Sequence, residues 1–207
     1  LILYFEKKGP AAFLSQLELQ AVFERIFRRA GLPLSFSRGY HPMPRLSFGR
    51  ALPVGVSSQE ETCLLGLRRE PDTPDVCARL NSHAVSGLSF TRAAPAPPGH
   101  KLIQPRYESF ELLFHLPPEE AERELDRWRE LLRAAEWTVA RKTKKGTRQV
   151  DLRSRIHEMH LQTPLKVEIT FDWEPSYVSP LFFVRTLHPE LDPRTYALTK
   201  LKQAENG

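Results

Sequence analysis

The stretch Ser15–Pro33, SQLELQAVFERIFRRAGLP, contains the start, the buried face and the end of one amphipathic helix. Ser15 and Glu18 form a capping-box pattern, in which the serine hydroxyl accepts from the Glu18 amide and the carboxylate reaches back. Apolar residues then recur at helical spacing. Gly31 and the proline two residues later stop the pattern, because glycine ends helices and proline cannot continue them. The sequence therefore predicts a helix over 15–30.

Strand patterns flank this helix and give the first half a regular order of elements. A second, shorter helix is predicted to begin with Thr73 as its N-cap and Pro74 at its first position, and to end near Asn81. The order strand, helix, strand, strand, helix, strand is that of a ferredoxin-like unit. The predicted strands cover residues 1–8, 34–37, 45–48, 61–69 and 87–92.

The segment Ala93–Gly99, AAPAPPG, has the composition of a stiff linker. It predicts a domain boundary near residue 98, with an N-terminal half 1–98 and a C-terminal half 99–207. The C-terminal half repeats the order of elements, although Thr195–Lys202 fits either a strand or a tail helix. We therefore expect an α+β fold of two tandem ferredoxin-like (split βαβ) halves that pack pseudo-symmetrically. The other predicted elements of this half are strands over 106–116, 137–143, 149–161 and 165–171, a helix from Pro117 that buries Ala121, Leu125, Trp128, Leu132 and Ala135, and a helix over 179–188.

Composition excludes several classes of protein. The 207 residues are 41% hydrophobic, which suffices for a packed core and argues against global disorder. No apolar run approaches the ~20 residues that span a bilayer, so we expect no membrane contact. Two cysteines cannot form a disulfide scaffold, and nothing near Leu1 resembles a signal peptide, so a cytoplasmic location is expected.

The net charge of +5 is unevenly placed along the chain. Residues 25–59 contain six arginines and no acid, and residues 137–157 contain seven lysines or arginines and one acid. Such groups bind phosphate backbones, and nearby aromatic rings can stack on unpaired bases. The pattern favours contact with nucleic acid, and with RNA in particular, although solvated basic hairpins and core phenylalanines would give the same pattern. The candidate rings are Phe36, Tyr40, Phe48 and Trp137.

The loop Ser37–Phe48, SRGYHPMPRLSF, combines conformational restraint with polar side chains. Gly39 permits a backbone conformation that other residues avoid, and two prolines fix the path that follows. Such a loop would bind a ligand with little loss of entropy, but it could equally cover a sheet edge. The side chains available for binding are Arg38, Tyr40, His41 and Arg45.

Several motifs resemble one family, the uncharacterised radical-SAM-linked proteins. They are FLSQLE from Phe13, RRAGLP from Arg28, the Ser37–Phe48 loop and LPVGV from Leu52, with looser matches at KKG and VDLR in the second half. Members are encoded beside, or fused to, a radical SAM protein with a cobalamin-binding-type domain. The resemblance implies a bacterial cytoplasmic protein with a radical SAM partner, and no established activity. Arg38 departs from the family pattern, where a glutamine or similar polar residue is expected.

Asp151 is the main catalytic candidate, because it is the only acid in the second basic segment. Arg148, Arg153 or Arg155 could hold it ionised. Tandem ferredoxin-like units with an aspartate near arginine are similar in outline to pseudouridine synthases, in which an aspartate is the nucleophile. The surrounding catalytic motif of that family is missing, and an ordinary Asp–Arg pair would have the same sequence.

No cofactor or metal is expected. Cys63 and Cys77 cannot supply the three thiolates of a radical SAM cluster, so the chain is not that enzyme itself. His157 and His160 are three residues apart, which places them on opposite faces of a strand. Both cysteines are expected to be buried apolar residues.

These patterns lead to one main expectation and two alternatives. The main one is an accessory protein of a radical SAM enzyme that binds RNA through a basic cleft between the halves. The alternatives are an RNA-modifying enzyme that uses Asp151 and a protein-interaction module that docks on the radical SAM partner. One wall of the cleft would contain Arg38, Tyr40, His41 and Arg45, and the other Lys144, Lys145, Arg148 and Arg153.

Overall fold

The computed structural model describes residues 1–71, 75–143, 146–163 and 165–202, and it has an α+β fold. The chain divides into two compact units, Leu1–Gln104 and Pro105–Gly207. The described residues form four α-helices, and the strand pairs within each unit are antiparallel. None of the described helices combines the length and the hydrophobicity needed to cross a bilayer.

The first unit follows the order strand, helix, strand, strand, helix, strand. In its sheet β1 lies between β3 and β4, and β2 pairs with β3 on the side away from β1. Leu1–Gln104 thus has the strand order β4-β1-β3-β2. The elements are β1 (Ile2–Lys7), α1 (Gln16–Arg29), β2 (Leu46–Phe48), β3 (Ser57–Leu65), α2 (Val76–Asn81) and β4 (Leu88–Ala94).

The core of the first unit is built on phenylalanines. Alternate residues of β1, including Phe5, point to the face on which α1 and α2 bury their apolar sides. Phe5 and Phe23 meet edge to face with ring centroids 4.8 Å apart, and Phe48 lies 5.3 Å from Phe23. Phe48 is half-buried and packs against this core, so packing accounts for its place in the sequence pattern.

The structure confirms the predicted N-terminal cap of α1, but α2 has a different cap from the one predicted. The predicted capping box is present, because Ser15 N donates to Glu18 Oε2 at 2.8 Å and Glu18 N donates back to Ser15 Oγ. The predicted N-cap of the second helix, Thr73, lies outside the described residues together with Pro74. Asp75 caps α2 instead, since its Oδ1 accepts from Ala78 N at 2.8 Å.

The second unit has eight described strands and helices of its own. β5 lies between β9 and β10, and β8 pairs with β9 on the side away from β5. β6 and β7 form a separate two-stranded hairpin. The elements are β5 (Tyr107–Phe114), α3 (Pro118–Arg133), β6 (Thr138–Thr143), β7 (Gly146–Asp151), β8 (Ile156–Thr163), β9 (Lys166–Asp172), α4 (Pro180–Leu187) and β10 (Tyr196–Lys200).

Two predictions for the second unit were wrong in detail. The strand predicted over 149–161 is divided into β7 and β8 by a 3-10 turn at Arg153–Arg155, because the Asp151 side chain caps that turn. The inner face of α3 continues from Trp128 to Leu131, while Leu132 is half-buried and Ala135 is exposed.

Candidate nucleic-acid interface

The predicted binding loop lies between α1 and β2, and its base pairs with residues that directly follow β3. The strand predicted at Leu34–Ser37 is only a pair of isolated bridges, from Leu34 to Leu67 and from Phe36 to Pro44. Ser35 N donates to Gly66 O at 2.9 Å on one side, and its carbonyl accepts from Arg45 N at 2.8 Å on the other. The chain therefore leaves the sheet edge and returns to it within about ten residues.

The tip of this projection is closed by its own hydrogen bonds. Ser37 N donates to Met43 O at 2.8 Å, and Met43 N donates to Ser37 Oγ at 3.0 Å. We call the enclosed segment, 37–43, the Ser37 loop. Gly39 has a φ of 154°. Restraint at both ends lowers the entropy that the loop would lose on binding a ligand.

The structure places all four predicted loop side chains in solvent. Tyr40 is fully exposed, and the exposed Arg38 and His41 lie two positions before it and one position after it. Arg45 is also exposed, and its Nε donates to Phe36 O at 3.3 Å, so its guanidinium is held at the base of the loop. The described structure thus presents an unburied aromatic ring among basic groups.

Two further arginines, which the sequence did not single out, lie at the base of the loop. Arg28 and Arg68 lie over the Phe36 ring, with their guanidinium carbons 5.4 and 5.7 Å from its centroid. The Arg68 guanidinium also donates from Nε to Leu34 O at 2.8 Å. Arg68 comes 32 positions after Phe36 and outside the acid-free stretch, so no local pattern could have pointed to it.

The second basic segment forms the β6–β7 hairpin of the second unit. Lys144 and Lys145, which lie between these two strands in the sequence, are outside the described residues. Arg141 and Arg148 are cross-strand partners, and Arg148 is exposed. Arg153 is half-buried and donates to Leu132 O at 3.1 Å and to Ile156 O at 3.5 Å. The structure therefore gives Arg153 a packing role and leaves Arg148 in solvent.

Asp151 is held by main-chain donors and not by arginine side chains. Its Oδ1 accepts from Trp137 N at 2.9 Å and from Arg153 N at 3.0 Å, and its Oδ2 accepts from Ser154 N at 3.2 Å. Burial raises the pKa of Asp151, but these donors lower it more, and the net pKa lies below the usual range. The carboxylate closes the hairpin and caps the turn that follows.

The described residues contain no cluster of three or more His, Cys, Asp or Glu that could hold a metal ion. Cys63 is completely buried, and burial raises the pKa of its thiol. His157 packs on the Tyr107 ring at 4.6 Å between centroids, while His160 pairs with Glu158 at 2.9 Å. These histidines are engaged with their neighbours on the surface of the second unit.

The family assignment rests on most of the chain. An α+β fold with a basic, aromatic loop defines only a broad class of protein. The chain belongs to DUF2344, a family described as an uncharacterised protein conserved in bacteria, whose model matches residues 1–179. No curated protein matches the chain. The comparisons provide no link to radical SAM proteins.

Among solved structures, the chain is similar to a chain in the crystal structure of a Cbf5-Nop10-Gar1 complex. The sequence identity is 9% and the TM-score is 0.45. The match covers 97% of this chain but only 48% of that chain, so this protein spans about half the length of the structure it matches.

Proposed function

We propose that the protein binds single-stranded RNA, without catalysis, through the Ser37 loop and the arginines at its base. One observation supports this most: Tyr40 is fully exposed on a loop that its own hydrogen bonds hold closed. A large ring in that position has no packing role within its unit. Base–aromatic stacking contributes about 1–3 kcal/mol per base, which suits such a ring.

Charge around the ring supports the same ligand. Arg38 is exposed two positions before Tyr40, Arg45 is exposed at the base of the loop, and residues 25–59 contain no acidic residue. Arginine binds phosphate with two parallel hydrogen bonds and also stacks on bases. A duplex hides the faces of its bases, so an exposed tyrosine favours an unpaired strand over a helix.

We further infer that both units are ferredoxin-like. Counting only the strands of the main sheet, and so leaving out β6 and β7, the first strand of each unit lies between the third and the fourth, and the second pairs with the third. The Ser37 loop and the β6–β7 hairpin each follow the first helix of their unit and precede its second sheet strand. This equivalence supports the hairpin as a second RNA contact, through Arg148 and through Lys144 and Lys145, which lie between its strands in the sequence.

The alternative in which Asp151 acts as a nucleophile has little support. Three main-chain N–H groups donate to its carboxylate oxygens, which suits a structural cap.

The radical SAM partner stays a proposal that the family resemblance alone supports. If the protein is instead a module that docks on such a partner, a basic-to-acidic change at Lys144 and Lys145 should leave complex formation intact.

Fluorescence anisotropy with labelled oligonucleotides tests the proposal. We expect tighter binding to a 12-nucleotide unpaired RNA than to the same sequence in a duplex. Two or more phosphate contacts predict a slope of log affinity against log salt of about −1.4 or steeper. Equal affinity for both RNAs, or a lack of binding at low salt, would contradict the proposal.

A further inference from the structure

A cavity of about 610 Å³ adjoins the base of the Ser37 loop in the first unit. One part of its lining comes from the start of β2 and the end of β3, and another part comes from the segment 96–100. A volume of this size is typical of small-molecule pockets, which bury most of their ligand. The cavity therefore has room for a whole nucleoside.

The lining combines apolar surface with a few polar side chains. Leu46, Pro97 and Pro98 contribute apolar surface. Ser47 and His100 contribute groups that can donate or accept hydrogen bonds. None of the described residues that line the cavity is acidic. This combination suits a nucleobase, because its flat faces pack on apolar side chains while its edges form hydrogen bonds.

Main-chain hydrogen bonds hold both parts of the lining. Gly66 N donates to Arg45 O at 2.7 Å, which joins the residue before β2 to the residue after β3. His100 N donates to Pro97 O at 3.1 Å, which closes the segment 97–100 as a turn. Its two prolines restrict the backbone further. Because the walls are restrained in this way, little entropy is lost when a ligand binds.

Arg45 connects this cavity with the Ser37 loop. It lines the cavity, it is exposed, and its Nε donates to Phe36 O at 3.3 Å at the base of the loop. The terminal nitrogens of its guanidinium are suited to a bidentate contact with phosphate oxygens. Tyr40 comes five positions earlier, so at most about 18 Å of extended chain separates the two residues. One short strand can therefore contact the Tyr40 ring, the Arg45 guanidinium and the cavity.

We propose that the cavity takes up one nucleoside of the bound RNA strand, with the base against Leu46 and the two prolines and the phosphate on Arg45. The Ser47 hydroxyl and the His100 ring then form hydrogen bonds with the edge of the base. An unpaired strand can turn one base out into such a pocket, whereas a duplex keeps its bases stacked. The inference rests on the proposed RNA binding and adds a second base contact to the stack on Tyr40.

The test is a nuclear magnetic resonance titration of the isotope-labelled full chain with a four-nucleotide unpaired RNA. We expect the amide signals of Tyr40 and His100 to shift along the same saturation curve, because one strand contacts both places. A sugar–phosphate strand of the same length without bases is the control for charge. It should shift the Arg45 signal and leave the His100 signal in place.

A pair of histidine variants tests the polar contact in the cavity. His100→Ala should lower the affinity for this RNA about fivefold, because one hydrogen bond to the base is lost. His83→Ala is the matched control, because His83 is also a half-buried histidine of the first unit and is not among the residues that line the cavity. Equal affinities of the two variants would overturn the nucleoside pocket.

The outcomes separate this inference from the proposed function. If the signals of the Ser37 loop shift and those of the cavity do not, the nucleoside pocket is wrong while RNA binding by the loop stands. A base-free strand that shifts the His100 signal as much as the RNA does would also overturn the pocket. If only the cavity signals shift, the pocket is supported and the loop loses its role. If no signal shifts, the proposed function fails and this inference fails with it.

Discussion

Ser37 and Met43 are joined by two hydrogen bonds that close the candidate binding loop. Ser37 N donates to Met43 O at 2.8 Å, and Met43 N donates to Ser37 Oγ at 3.0 Å. One of the two bonds depends on a side chain, so it can be removed without changing any group that would contact RNA. The loop's shape and its chemistry can thus be tested separately.

Ser37→Ala is expected to weaken RNA binding without unfolding the protein. The variant loses the side-chain acceptor of Met43 N, and a hydrogen bond of this kind contributes about 0.5–1.5 kcal/mol. Because the site is exposed, the melting temperature should change little while the affinity for unpaired RNA falls severalfold. Ser37→Thr keeps the hydroxyl and serves as the control. An unchanged affinity in Ser37→Ala would show that closure of the loop does not matter for binding.

Gly66→Ala is expected to disturb the base of the loop. An alanine Cβ at this position would lie 2.8 Å from Arg45 Cβ, which is closer than such atoms approach. Forcing extra carbon into a packed site costs about 1–3 kcal/mol, measurable as a lower urea midpoint. Gly49→Ala is a milder control, since its Cβ would meet Thr62 Oγ1 at 3.3 Å. Equal midpoints for the two variants would contradict the close packing of Arg45 on Gly66.

Local patterns predicted the elements better than they predicted the site. The capping box at Ser15 and Glu18 was correct because both partners lie within one helical turn. Arg68 was not identified, because its position over Phe36 results from the pairing of Leu34 with Leu67, a tertiary contact. A tertiary contact has no periodicity in the sequence.

The second basic segment shows the same limit. Its charge was evident from the sequence, but the break between β7 and β8 was not. An aspartate such as Asp151 can be either a catalytic residue or the cap of a turn, and the sequence alone does not distinguish the two. Its three main-chain donors are visible only once the chain is folded. The hydrogen bond from Arg153 to Leu132 O is likewise a contact between residues 21 positions apart, which the sequence does not reveal.

Asp151→Ala is expected to destabilise the second unit, by about 1–2 kcal/mol, because three main-chain donors lose their acceptor. Asp151→Asn keeps one oxygen acceptor and should lose less. Since the folded-state pKa of Asp151 is lowered, its contribution is complete above the ordinary value near 3.8 and is lost as the pH falls below it. Urea unfolding at neutral pH provides the measurement. A variant as stable as the wild type would argue against the capping role.

His188 should make the stability of the second unit depend on pH. It is buried, accepts from Trp128 Nε1 at 2.8 Å and contacts Glu124 through Nδ1. Burial lowers the pKa of His188 below its usual 6.5, although Glu124 opposes that shift. The unfolded chain therefore binds a proton first, and stability is lost as the pH falls from 6.5 towards the folded-state pKa. Unfolding midpoints measured between pH 7 and 5 should decrease.

Removing the histidine checks the origin of that decrease. His188→Gln keeps a polar group near Trp128 but cannot take up a proton. The variant is expected to be less stable at neutral pH and to show a flatter dependence between pH 7 and 5. The same slope in the variant and in the wild type would assign the pH dependence to other groups.

The affinity of Tyr40→Ala for unpaired RNA tests the proposed function most directly. Phe13→Ala is the matched control, because Phe13 is also an exposed ring of the first unit and lies outside the loop. Loss of one base stack predicts a fall in affinity of about tenfold for Tyr40→Ala, with an unchanged melting temperature and unchanged binding in Phe13→Ala. If Tyr40→Ala binds unpaired RNA as tightly as the wild type, the Ser37 loop is not the RNA-binding site.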